Sequence, residues 1–185
     1  AMDAPLRALV DRLHTLCHTL RTVGRNLVVV EPCVGLGGLR ELSTQGSFAT
    51  ECHGYDTDER LRPSYEQHGG PNDHIHIGTT NGNMLAVDLT SLVELKPDGA
   101  VGGCPCQPFN ESGGRLGAKD PRAMMFDAFC DWLIELGWAG TLVFFGAENS
   151  PNIMLVQVVL RKSFGQMMLD KLEVGLPFFV VESST

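Results

Sequence analysis

The residue best suited to covalent chemistry is Cys106, in the run Gly102-Gly-Cys-Pro-Cys-Gln-Pro-Phe109. Glycines and prolines fix such a loop, and a thiol on it becomes a nucleophile where backbone dipoles favour the thiolate. The plainer alternative is a buried, inert cysteine. Glu148 is the second candidate, because Phe144-Phe-Gly-Ala-Glu148-Asn149-Ser150-Pro151 delivers a carboxyl group just past an apolar strand. Turned into a shared pocket, it would donate a proton or clamp a ligand; turned to water, it would be a helix cap or a solvated edge. The third feature is Glu31-Pro-Cys-Val-Gly-Leu-Gly-Gly38, with Asp56 at the end of the next strand. Glycines let the backbone approach a ligand there, and an acid so placed can accept hydrogen bonds from both hydroxyls of a ribose. The spacing is not G-x-G-x-x-G, which argues against a pyrophosphate. A nucleoside cofactor without phosphates, such as S-adenosylmethionine, suits Glu31 and Asp56 better.

These groups need a scaffold that brings distant loops together. Apolar residues at Leu9, Val10, Leu13, Leu16, Cys17 and Leu20 predict an amphipathic helix over Leu6–Leu20. Leu27–Val30 reads as a strand, the glycine run as a turn, and Leu39–Leu42 as a resumed helix. Further strands are expected at Phe48–Tyr55, Ile75–Ile77, Gly99–Gly102, Thr141–Phe145 and Phe178–Val181, and helices at Asp58–Gln67, Ala123–Leu136 and Met154–Leu172. Alternating strands and helices, with strands too apolar to face water, predict an α/β fold with a mostly parallel sheet covered on both faces. The whole chain, 1–185, reads as one domain: an N-terminal helix within 1–22, a motif core over 26–150, and a helix and strand within 151–185.

Composition agrees. With 185 residues and 43% hydrophobic content, the chain can bury one core and is neither disordered nor fibrous. No apolar run approaches a membrane span, so no membrane partner is expected. Fourteen Lys and Arg against twenty-two Asp and Glu give a net charge of −8, which repels a phosphate backbone taken as a whole. A nucleic-acid role therefore requires a local basic surface or a partner. The six cysteines form no C-x-x-C, the six histidines complete no zinc pattern, and no metal is expected. His74-Ile75-His76 reads as one side of a short strand. The absence of a secretory leader pattern points to an intracellular chain, nuclear in a eukaryote or cytoplasmic in a bacterium.

The ordered set Gly35-Leu-Gly-Gly38, Asp56, Gly102-Gly-Cys-Pro-Cys-Gln-Pro-Phe109, Asp120-Pro-Arg122 and Glu148-Asn149 resembles the cytosine-C5 methyltransferase family of DNA and tRNA methylases. The resemblance implies a Rossmann-like methyltransferase fold, S-adenosylmethionine as cofactor, and methyl transfer to C5 of a flipped cytosine. It implies that Cys106 adds to C6 of the base while Glu148 holds N3 and the exocyclic amine. It places the cofactor against Val34, Gly35, Gly37, Gly38 and Leu39, with Asp56 at the ribose, Asn83 at the adenine amine or else a plain turn residue, and Thr57, Met84, Gly103 and Pro105 also among the cofactor contacts. Gln107, Asn149, Arg115 and Arg122 fall where substrate contacts are expected, Arg122 being equally readable as a salt-bridge partner. The stretch Asn110–Arg122 resembles the family's catalytic loop.

Two positions depart from the pattern: Cys33 stands where the family has a Phe, and Cys104 where it has a Pro. The family's arginine-rich motif, target-recognition region and last cofactor motif would follow Glu148 and have no counterpart before Thr185. The resemblance therefore implies a DNA substrate, with tRNA as the alternative, and a complementing chain or domain that supplies recognition. A reading of another class is a non-catalytic or split subunit that keeps the fold as a binding partner.

Overall fold

The computed structural model describes residues 4–37, 50–68, 70–110, 114, 116–154 and 162–177. Five strands, β1 (Leu27–Pro32), β2 (Thr50–Asp56), β3 (Asp73–Ile77), β4 (Gly99–Gly102) and β5 (Phe144–Ala147), form one parallel sheet in the order β3-β2-β1-β4-β5. The described helices are α1 (Ala4–Thr22), α2 (Arg62–His68), α3 (Leu89–Glu94), α4 (Ala123–Trp138) and α5 (Phe164–Gly175).

Register decides which side chains share a face. Val30 is level with His53 and Ala100, His53 with His74, and Ala100 with Phe145. Over that face α4 lays Phe129, Trp132, Leu133 and Leu136, joined by Leu92 of α3, and these form the main core with Val30, Tyr55 and Ala100. The opposite face carries Leu27, Val29 and Phe144 against Cys17 and Leu20 of α1, and Val34, Ile75 and Ile77 against Tyr65 of α2. Both faces of the inner strands β1 and β4 are covered, and this is why these strands read as apolar runs without alternation.

Local chemistry sets the ends of the helices. Pro63 sits in the first turn of α2, where its missing N–H costs nothing. Asp88 caps α3 by accepting from Thr90 N and Ser91 N, and Ser163 caps α5 by accepting from Gln166 N. Lys171 of α5 pairs with Asp127 and Asp131, one turn apart on α4, at 2.7 Å each.

Three expectations shift. The segment expected as one helix over Asp58–Gln67 is a 3₁₀ turn at Glu59–Leu61 followed by α2. The strand expected at Thr141–Phe145 begins only at Phe144, because Val143 N is bound to the carbonyl of Asp98 at 2.7 Å, outside the ladder, and its side chain is exposed. Of the helix expected over Met154–Leu172, Pro151–Met154 is a 3₁₀ turn and α5 begins at Phe164 behind the Ser163 cap, while residues 155–161 lie outside those described. Strand β2 is described from Thr50 and ends at Asp56, as expected. The expected helix at Leu39–Leu42 and strand at Phe178–Val181 lie outside the described residues. No described helix is long and apolar enough to cross a membrane.

Candidate active site

Strand order reverses between β1 and β4: the chain leaves β1 towards β2 and β3, then crosses back to β4 and β5. In open parallel sheets such a switch point leaves a crevice beyond the carboxyl ends of the strands. The loops after β1 and β4 both open there, flanked by those after β2 and β5.

The loop after β1 is a backbone cradle. Gly35 and Gly37 lie in the left-handed region at φ 53° and 78°, and a Cβ on Gly35 would meet no heavy atom closer than 4.0 Å. Tyr65 O–H donates to Gly35 O at 2.8 Å and holds the turn from below. Asp56 fixes it from the side, its carboxylate accepting from Gly35 N and from Asp58 N at 2.9 Å each. Each carboxylate oxygen keeps a further lone pair for a ligand hydroxyl. Thr57 follows, half-buried. Asn83 caps a 3₁₀ turn through Leu85 N, and Met84 is buried with its sulfur 3.7 Å from the Cys33 thiol. Residues 33–37 carry no cation, so the acceptors of Asp56 and Asn83 with the bare glycine backbone fit a nucleoside rather than a phosphate. Gly38 and Leu39 lie outside the described residues.

The loop after β4 presents Cys106 half-buried. The Cys106 carbonyl accepts from Phe109 N and Asn110 N, and Asn110 Nδ2 donates to Cys106 Sγ at 3.2 Å. Sequence reasoning missed Asn110; its signal is the four-residue offset from the cysteine, which a tight turn converts into contact. Gln107 is exposed, Pro105 half-buried and Phe109 buried against Phe164, with ring centroids 5.0 Å apart. Glu148 N donates to Gly102 O at 3.0 Å, so the register of β4 and β5 sets this carboxyl beside the cysteine loop. Its Oε2 lies 3.8 Å from where a Cβ on Gly103 would stand. Asn149 Nδ2 donates to Cys104 O at 3.1 Å, stitching the β5 loop to the β4 loop.

The two departures in sequence also meet. The Cys104 thiol is pushed well above its ordinary value, first by its hydrogen bond with the Cys33 thiol and then by burial. The two thiols thus lie together beneath the crevice, and Cys104 stays neutral. Cys130, on α4 behind it, is pushed up to about 12 by burial.

Arg122 is committed to Asp120, reaching it from Nη2 at 2.6 Å and from Nε at 2.9 Å, while Arg122 N adds a third bond. That favours the salt-bridge reading of Arg122, although half of its side chain stays exposed. Arg115 lies outside the described residues. The Arg122 side-chain hydrogen bonds, then its backbone N–H, hold the Asp120 carboxyl at about 2. A depressed carboxylate contributes stability above its ordinary value of 3.8, and that contribution is lost as pH falls from there through about 2. Carboxyl NMR titration is expected to place Asp120 near 2, and a midpoint near 3.8 would contradict the pairing.

A parallel α/β sheet with a glycine cradle, an acid at the end of β2, and a cysteine and a glutamate converging at the switch point defines a Rossmann-like methyltransferase. Over residues 29–167 the sequence matches the family model described as C-5 cytosine-specific DNA methylase, and the chain belongs to that family, whose methyl donor is S-adenosylmethionine. The fold is similar to the crystal structure of a triple mutant of Spodoptera frugiperda DNMT2, with a TM-score of 0.52 and 19% identity, covering 79% of this chain and 40% of that one. The chain thus spans about 40% of the length of that relative. No curated protein matches the chain significantly.

Proposed function

We propose that this chain forms the catalytic part of an enzyme that transfers a methyl group from S-adenosylmethionine to C5 of cytosine in DNA. The observation that carries the reading is the Glu148 carboxyl set against Gly103 of the loop that bears Cys106, at the ends of neighbouring strands, beside a cradle suited to a nucleoside.

Cytosine is electron-poor at C6 and a weak nucleophile at C5. Attack by the Cys106 thiolate on C6 forms an S–C bond and pushes electron density to C5, which then accepts the methyl group. Asn110 Nδ2 keeps an N–H against the sulfur that carries the charge before attack. Glu148, hydrogen-bonded to N3 and the exocyclic amine, stabilises the charge that develops as the bond forms. Asn149 keeps the two loops in register through Cys104 O. Loss of the C5 proton and expulsion of the thiolate restore the aromatic base. The sulfonium of the bound cofactor supplies an electrophilic methyl and a neutral thioether leaving group. Asp56 orients the ribose with the lone pairs its backbone contacts leave over, while Gly35 and Gly37 admit the nucleoside edge. A base inside a stack cannot reach Cys106, so the target must be turned out of the helix. With a net charge of −8, a complementing chain or domain would supply target recognition and positive surface.

Calorimetric titration with S-adenosylmethionine and S-adenosylhomocysteine tests the cofactor half of this reading. Saturable binding is expected, weakened by roughly tenfold in Asp56→Ala, the size of one or two lost hydrogen bonds. A folded chain that binds neither molecule would remove the support for the cradle. For the substrate half, methylation of tRNA but not DNA by the chain with its recognition partner would overturn the choice of DNA.

A further inference from the structure

Away from the crevice, on the outer pair of strands, three potential ligands converge. Glu51 and His53 alternate along β2 and so share a face, and the register sets His74 of edge strand β3 level with His53. The two imidazoles stack with centroids 4.6 Å apart. His53 Nε2 lies 2.9 Å, and His74 Nε2 3.8 Å, from the same oxygen, Glu51 Oε1. All three donor atoms fall within 4.8 Å of one another. His53 is buried, while Glu51 is half-buried and His74 exposed, so the cluster is anchored on one side and open to solvent on the other.

We propose that Glu51, His53 and His74 bind one divalent transition-metal ion of the zinc class, with water completing the shell. Two imidazoles and a carboxylate are borderline ligands that suit zinc, cobalt or nickel and disfavour magnesium and calcium. At metal–ligand distances of about 2.0–2.2 Å, two donors on a tetrahedral ion stand roughly 3.3 Å apart. The observed 2.9 and 3.8 Å straddle that figure, and small rotations of the half-buried Glu51 and exposed His74 side chains close the shell. A single Glu–His ion pair would not require the second imidazole to direct Nε2 at the same oxygen. The ion would clamp edge strand β3 to β2. Beyond β3 the chain turns at Gly82, whose Cα packs so closely on the Asp56 carbonyl that a Cβ there would stand 1.9 Å from it, and then reaches Asn83. The clamp therefore steadies the adenine side of the crevice. The expectation of no metal rested on adjacency in sequence, and pairing across two strands escapes it.

The test is titration of the tag-free chain with Zn²⁺ by calorimetry, with Co²⁺ absorption as a second readout. One ion per chain is expected, with a rise in the thermal unfolding midpoint. His74→Ala and Glu51→Gln, both on the solvent side and so without consequence for folding, are expected to weaken binding at least tenfold. The double variant His14→Ala, His18→Ala, which removes a second histidine pair one turn apart on α1, is expected to bind as the parent does. Failure of the folded parent to bind Zn²⁺ saturably, undiminished binding in His74→Ala, or loss only in the α1 variant would each overturn the site.

Discussion

Cys106→Ser is expected to lower methyl transfer to cytosine by about 10³-fold or more while leaving cofactor affinity and the unfolding midpoint unchanged. A serine hydroxyl at this position has the geometry of the thiol but not its acidity, and the residual rate reports only binding and orientation. The half-buried thiol touches Asn110 Nδ2 and lies outside the main core, which is why stability should not move. The check is transfer of labelled methyl groups to DNA by the chain with its recognition partner, beside calorimetry with S-adenosylhomocysteine. A loss of cofactor binding as large as the loss of transfer would show that Cys106 supports the cradle rather than attacking the base.

Trp132→Ala is expected to cost about 3–5 kcal/mol, the usual range for emptying an aromatic site in a core. Trp132 is 2% exposed and meets Tyr55 edge-on at 5.4 Å, within the cluster that joins α4 to the sheet. Tyr55 in turn precedes Asp56, and its carbonyl accepts from Val34 N at 3.1 Å, so the core and the cradle share a residue. For a domain of this size the loss corresponds to a fall in unfolding midpoint of roughly 6–20 °C. Thermal unfolding followed by circular dichroism measures it, and a change below about 1 kcal/mol would mean that the cavity collapses without loss.

The residue pattern carried the class of fold and singled out the candidate reacting groups. Apolar strands such as Leu27–Val30 can be stable only when covered on both faces, and Gly102-Gly-Cys-Pro-Cys-Gln-Pro-Phe109 admits few backbones. Boundaries set by remote partners were not legible. Strand β5 starts at Phe144 rather than Thr141 because Asp98, itself bonded to Arg25 and Val28 N, takes the N–H of Val143. Helix α5 begins behind the Ser163 cap. Tertiary structure alone decided the contacts that cross strands: Cys33 against Cys104, Asn149 on the carbonyl of Cys104, and Glu51, His53 and His74 around one point. The physical reason is that composition and spacing act along the chain, through turns and periodicity, whereas these contacts depend on which strands lie side by side and in what register. The sheet places β4 next to β1 and β3 next to β2 only once both of its faces are covered, and no local propensity carries that information.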